Sequence, residues 1–277
     1  MAQTTKPSAL LSSRQAASIL GVHTASVKRW SDQGVLRCVR TPGGHRRFHR
    51  QDIEALRGQP VGPHASFNER LWTAARQGQQ MRAEGELLQY WGQVGRWEHV
   101  SDAIGDMLVD IGRAWVDGQV SISEEHVASE TLLRSMARLL MMMPLRPDAP
   151  VCALATVPND EHTIGLAMSE LILAEHDWKS LWLGRNTPVD TIVEVITRPD
   201  VAMVALSASE YSCSAAHLAE LIAAIAPLAR RHGTHLVLGG TGAWPDPPSP
   251  AHRASSFRDF GLLLRNQLTS RPLTRAG

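Results

Sequence analysis

From Val151 onward the chain alternates short continuous apolar runs with longer amphipathic ones: VCALATV, GLAMSELILAEH, WKSLWLG, VDTIVEVIT, VAMVALSA, AAHLAELIAAIAPLARRHG and HLVLGG. Apolar strands separated by helices predict a parallel sheet covered on both faces, a doubly wound α/β domain. Upstream, from Phe67 to about Met143, apolar residues recur every three to four positions in SFNERLWTAARQGQ, MRAEGELLQYWGQV, WEHVSDAIGDMLVDIGRAWVDG and SISEEHVASETLLRSMARLLMMM. Glycines and short polar stretches break these runs, which predicts a bundle of about four helices, the last capped by Ser121 or Ser123.

The first sixty residues follow a shorter rhythm. LSSRQAASILGV has Ser12 or Ser13 as N-cap, Ala16, Ala17, Ile19 and Leu20 on one side, and Gly21 as the stop. A second short helix, ASVKRWSDQG, follows a cap at His23 or Thr24 and turns Val27 and Trp30 inward. The pair predicts a helix-turn-helix that presents Thr24, Ser26, Lys28 and Arg29 to a DNA major groove. In VLRCVRTPGGHRRFHRQDIEAL, Pro42-Gly43-Gly44 makes a hairpin turn between two strand-like runs, with Arg40, His45, Arg46 and Arg47 around its tip. Such a wing suits phosphate contact.

These patterns divide the chain into a winged helix-turn-helix head (1–57), a flexible linker GQPVGPHA (58–65), a helical bundle (66–147) and a sheet domain with a final helix near Phe257 to Leu268 (148–277). Pro245 to Ser256 reads as a linker-like loop, and the final helix has no role assigned by the pattern. Charge sharpens the division. Residues 1–60 hold ten Lys/Arg against three Asp/Glu, and residues 61–277 hold eighteen against twenty-four. A basic head on an acidic body is the footprint of a nucleic-acid-binding module joined to something else. Three widely spaced cysteines, Cys38, Cys152 and Cys213, predict reduced thiols, and no apolar run is long enough to span a bilayer, so a cytoplasmic protein is expected.

The order helix-turn-helix, PGGHRRF, then D-I-x-x-L resembles the head of MerR-type regulators over about residues 11 to 57. Their usual dimerising helix after the head is absent here. The stretch NDEHTIG, Asn159 to Gly165, carries the chemistry of the body. Ligands of doubly wound sheets sit at the carboxyl ends of the strands, and Asp160, His162, Ser207, Gly239 and Gly240 all fall there. A neutral imidazole ligates a metal through one nitrogen while a carboxylate holds the other N–H. Asp160-x-His162-x-x-Gly165, then Ser207, then Gly239-Gly240 resembles the signature of the cobalamin-binding domain, over about residues 150 to 243.

That resemblance implies a Rossmann-like domain in which His162 is the lower axial ligand of cobalt and Asp160 its partner. The displaced nucleotide tail would pass Ser207 and run beneath Gly239 and Gly240. Glu161, Thr163, Ser209 and Thr241, beside these positions, are the remaining contacts expected on the sheet side. The third position of the family's S-x-L is Ser209 here, which alters tail packing.

On the bundle, Trp115, nine residues, then Glu125-His126 is similar to the W-x9-EH signature of the CarH and LitR type of adenosylcobalamin photoreceptor. The resemblance implies that Trp115 packs over the adenosyl group while Glu125 and His126 hydrogen-bond to it. It implies a repressor without catalytic turnover, partnered by operator DNA and by copies of itself, a tetramer in the dark that green light takes apart. One departure bears on this. The family's histidine after the tryptophan is Val116 here, which leaves His126 or water for the upper cobalt position after light, and leaves a light-independent vitamin sensor as an alternative. A corrinoid methyl-transfer component, similar to the module of methionine synthase, is the third reading, against which the basic head and W-x9-EH both argue.

Overall fold

The computed structural model describes residues 10–20, 27–28, 31, 36–41, 43–50, 52–53 and 63–266. The chain forms two compact units, Met1–Glu69 and Arg70–Gly277.

In the first unit, β1 (Leu10–Ser12), β2 (Val39–Arg40) and β3 (Arg46–His49) make an antiparallel sheet in the order β1-β3-β2, with α1 at Ser13–Leu20. Pairing of Leu11 with Phe48 and of Arg40 with Arg46 sets the register. The sequence pattern did not predict β1. Ser12 Oγ accepts from the Gln15 amide (3.3 Å) and Gln15 Oε1 from the Ser12 amide (2.9 Å), a reciprocal cap that starts α1 at the next residue. Leu11, Ala16, Ala17, Val27, Leu36, Phe48 and Ile53 form the core of this unit.

The division between units falls within α2 (Pro63–Arg76). The expected linker 58–65 is corrected at its end, because Pro63, His64 and Ala65 are helical. Proline at a first helical position loses no intrahelical bond and already has helical φ. Residues 58–62 lie outside the described residues. The second unit continues with α3 (Gln80–Val94), α4 (Trp97–Val116) and α5 (Ile122–Met141). Ser121 caps α5 in a capping box with Glu124.

The sheet domain runs β4 (Val151–Thr156), α6 (Ile164–Glu175), β5 (Lys179–Gly184), α7 (Val189–Thr197), β6 (Val201–Ser207), α8 (Ala215–His232), β7 (His235–Gly239), β8 (Ala251–Arg253) and α9 (Phe257–Asn266). Its five parallel strands take the order β5-β4-β6-β7-β8. This is the doubly wound sheet that the pattern predicts. The stretch 245–256, read as a loop, contributes β8 at one edge, a strand too short for periodicity to reveal. On one face Ile192, Val195 and Ile196 of α7 interlock with Leu218, Leu221, Ile222 and Ile225 of α8, each burial contributing about 1.5–3 kcal/mol. On the other lies α6. Leu166, Ala167, Met168, Leu171, Ile172, Leu173 and Ala174 are all buried, an apolar circumference expected of a helix with neighbours on both sides.

Polar contacts join bundle, sheet and α9. Glu175, ending α6, accepts the Trp97 amide (3.1 Å) and the Trp91 indole N–H (3.2 Å). The buried Glu98 carboxylate accepts from Arg265 of α9 at 2.8 Å, with His176 Nε2 3.6 Å away. Asp102 accepts the Phe257 amide (2.9 Å) and pairs with Arg258 (3.2 Å), so α9 is docked onto the first turns of α4. Glu98, Glu175 and His176 lie close enough to share a metal ion, but the Arg265 guanidinium supplies the positive charge there.

Candidate functional site

The candidate site lies at the carboxyl ends of the central strands, where Thr156, Ser207 and Gly239 stand in one row across β4, β6 and β7. The loop leaving β4 is pinned from behind. Thr156 Oγ donates to the Asp160 carbonyl, and the Asn186 amide is within 2.8 Å of both that carbonyl and Thr156 Oγ. Asn159 and Asn186 adopt positive φ (68° and 47°), which asparagine tolerates better than most residues, and the Asn159 amide donates to Asn186 Oδ1 at 2.8 Å.

This scaffold places Asp160 under His162. The fully buried carboxylate accepts three N–H groups: His162 Nδ1 at 2.7 Å, the His162 amide at 3.0 Å and the Ser209 amide at 2.6 Å. Burial pushes the Asp160 pKa up, but the His162 ring, the two amides and the imidazole charge together bring it below its ordinary value. The His162 pKa is raised, first by the Asp160 hydrogen bond, against the effect of burial, and then by the charges of Asp160, Glu125 and Glu161. A carboxylate has no proton to give, so Nδ1 is the donor and Nε2 keeps its lone pair. The His162 side chain is 68% exposed, and the ring is available to a ligand.

Small residues line the adjoining edge. A Cβ on Gly165 would stand 3.9 Å from Ser207 Oγ, and one on Gly239 3.7 Å from the Leu206 carbonyl, so side chains there would fill the space beside the strand ends. At Gly240 (φ +78°) a Cβ would lie 2.2 Å from the Ala208 carbonyl, which bars any other residue. Thr241 Oγ accepts the Glu210 amide at 3.1 Å, and Ser209 Oγ lies 2.5 Å from Ser212 Oγ, so this rim is stapled. Glu161 makes a surface pair with Arg185 (3.2 Å), and Thr163 stands just before α6. An anchored imidazole with one free nitrogen, beside a slot kept free of side chains, fits a cobalamin with a histidine below the metal.

The remaining residues expected at the site lie on the bundle. Trp115 (49% exposed) and Val116 (75%) end α4, while Glu125 and His126 lie near the start of α5. Glu125 accepts from His126 Nδ1 (2.8 Å) and Ser129 Oγ (2.7 Å). Glu125 adds to the charges that raise the His162 pKa, and Arg113 acts in the opposite sense to Glu210 on Tyr211 of the loop after β6.

In the head, Lys28, His45, Arg46 and Arg47 border one cleft with Ser12, Ser13 and Arg14. Arg40 is exposed on the wing beside Arg46. Thr24, Ser26 and Arg29 lie outside the described residues. Gly44 turns the wing at φ +77°, with its amide on the Thr41 carbonyl at 2.8 Å. Sequence reasoning missed Thr156 and Asn186, which hold the histidine loop, and Tyr211, an 87% exposed aromatic on the stapled rim. Asparagine at strand-end loops was the one available signal.

Comparison with known proteins accords with this geometry. Residues 10–59 match the helix-turn-helix domain family, and residues 150–250 match the B12 binding domain family. The chain is 23% identical over 233 residues to the HTH-type transcriptional repressor CarH of Myxococcus xanthus, covering 70% of this chain and 78% of that one. In fold it is similar to the monomethylamine corrinoid protein of Methanosarcina barkeri (TM-score 0.54, 13% identity, 72% of this chain and 97% of that one). The chain thus joins a helix-turn-helix domain to a B12-binding domain, and over most of its length it is similar to the repressor CarH.

Proposed function

We propose that the protein is a transcriptional repressor that uses adenosylcobalamin as its chromophore, and that its grip on operator DNA is set by green light. The observation that carries this reading is the Asp160–His162 pair on the sheet, with Glu125 of the bundle close enough to act on its charge. His162 would hold the metal from below through Nε2, with Asp160 fixing the ring. Trp115 would cover the adenosyl group, and Glu125 and His126 would hydrogen-bond to it. Bound adenosylcobalamin supplies a cobalt–carbon bond that light can break. Residues of the bundle and of the sheet would share that one ligand and so hold each other in register. Without it the two sets of residues would lose that link, and a ligand shifts an assembly by its differential affinity for the two states.

DNA binding would rest on several heads acting together in a dark tetramer, so disassembly releases the operator without altering any one head. Lys28, His45, Arg46 and Arg47 would meet the DNA backbone and groove edge. Val116 favours a second reading, a light-independent cobalamin sensor, because it offers no donor atom to the metal. Both readings are tested by size-exclusion chromatography of adenosylcobalamin-loaded protein in the dark and after green light, with photolysis followed by absorbance. Dark assembly and light disassembly are expected. Identical elution after complete photolysis would overturn the light switch and leave the sensor.

A further inference from the structure

The carbonyls of the Gly239-Gly240 turn are both covered by side chains that reach back from the segment after β7. The Trp244 indole N–H donates to the Gly239 carbonyl at 2.7 Å, and Arg253 Nη2 donates to the Gly240 carbonyl at 2.7 Å. Arg253 Nη1 also holds the carbonyls of Leu238 (2.7 Å) and Ala254 (2.6 Å), so one guanidinium ties together the end of β7, the turn after it and the exit of β8. Bare carbonyl oxygens at a strand end repel an anion. With these drawn onto an indole N–H and a cation, this stretch of the rim attracts one instead.

Among the described residues no carboxylate stands within ion-pair distance of Arg253. On the neighbouring α9, Arg265 meets Glu98 at 2.8 Å and Arg258 meets Asp102 at 3.2 Å, whereas the acceptors of Arg253 are all neutral carbonyls. Burial lowers the Arg253 pKa, opposed by the charge of Asp259, whose Oδ2 accepts the Ser255 amide at 3.0 Å. A guanidinium taken partly out of water without a carboxylate beside it is unfavourable, and an anion brought to it offsets that penalty. A donor is also free, because Nε makes no hydrogen bond among the described residues. Gly239 and Gly240 border the slot that fits the cofactor's nucleotide tail. The charged group of such a tail is its phosphodiester, whose oxygens match the planar fork of a guanidinium.

We propose that Arg253 is the phosphate-binding residue of this site, pairing with the phosphodiester of a corrinoid's nucleotide tail beside the Gly239-Gly240 turn. It therefore selects corrinoids that carry the tail over those that lack it. The proposal rests on the reading of that slot as the tail's place.

The test compares two probes on the full-length apoprotein, aquacobalamin and cobinamide, the same corrin without the nucleotide, each titrated by visible absorbance. Arg253→Gln should raise the Kd for aquacobalamin about tenfold, the effect of one charge-assisted hydrogen bond, and leave that for cobinamide within about twofold. Arg253→Lys keeps the charge without the fork and should restore part of the difference. In the parent labelled with 15N-arginine, the Nε–H signal that Arg253→Lys removes should shift on loading aquacobalamin and stay in place with cobinamide. Equal effects of Arg253→Gln on the two corrinoids, no effect on either, or an Nε–H signal that moves alike with both, would overturn the proposal and leave the His162 assignment standing. Failure of the parent to bind either corrinoid would remove the site reading and this proposal together.

Discussion

Replacing Asp160 with Asn keeps the side-chain volume and removes its charge. In the parent, Oδ1 takes both donors from His162 and Oδ2 takes the Ser209 amide at 2.6 Å. An amide has one acceptor atom, so either His162 or Ser209 meets an N–H instead of an oxygen. The side chain is fully buried, with no water to compensate, and one unsatisfied donor there costs about 1–3 kcal/mol. With the amide oxygen kept on His162, the charged acceptor becomes a neutral one, weakening that bond by about 1 kcal/mol. Losing the partner of a ligating histidine typically lowers metal affinity about ten- to hundredfold, or about 1.4–2.7 kcal/mol, because ring orientation and basicity are lost along with the bond itself. Titrating the apoprotein with cobalamin by visible absorbance should therefore give a Kd about ten- to hundredfold higher in Asp160→Asn. Urea unfolding should show a loss of about 1–3 kcal/mol, and the His162 pKa measured by NMR should fall toward its ordinary 6.5. A Kd within about twofold of the parent would refute the idea that Asp160 orients and activates the ligand.

Three further outcomes follow from the same geometry. Gly240→Ala should destabilise the sheet domain by several kcal/mol, on the order of the strain of a left-handed non-glycine residue plus a clash with the Ala208 carbonyl; an unchanged urea midpoint would show that the turn relaxes freely. His176 has its pKa lowered, chiefly by burial against the raising effect of Glu175 and Glu98. Its unfolded form therefore takes up a proton first, and stability should fall as pH drops from 6.5 toward the folded value, a slope that His176→Gln should remove. Arg46→Ala with Arg47→Ala should weaken binding to any duplex and flatten the plot of log affinity against log salt by about 0.9 for each phosphate that the wing no longer neutralises, whereas an unchanged slope would take the wing off the backbone.

The parts of this molecule legible in sequence are those written in local pattern. The strands of the sheet read as continuous apolar runs because both faces are covered. Asp160 and His162 stand out because two residues of chain join a carboxylate to a metal-binding ring at a strand end. Ser207, Gly239 and Gly240 were legible through the resemblance they carry, and the starts of α1 and α5 through their N-caps. What stayed hidden depends on partners far apart. Arg265 meets Glu98 across 167 residues, and neither has a local feature to announce it, so α9 appeared as a helix without a task. The Ser209 contribution to Asp160 is a backbone amide, which no residue type encodes. β8 and β1, three residues each, are too short for alternation to be read.

The clamp around the start of α4 makes that helix a lever. Trp97, Glu98 and Asp102 are gripped by α6 on one side and α9 on the other, while Val109, Trp115 and Val116 stand exposed further along. Seventeen residues separate Glu98 from Trp115, about 26 Å at the rise of an α-helix. With its fulcrum at Glu98, a tilt of ~10° carries Trp115 through ~4–5 Å, about the thickness of a purine ring with its contacts. The buried Glu98–Arg265 pair thus fixes one end of the helix, and a shift too small to break that pair would be magnified several-fold at the exposed end.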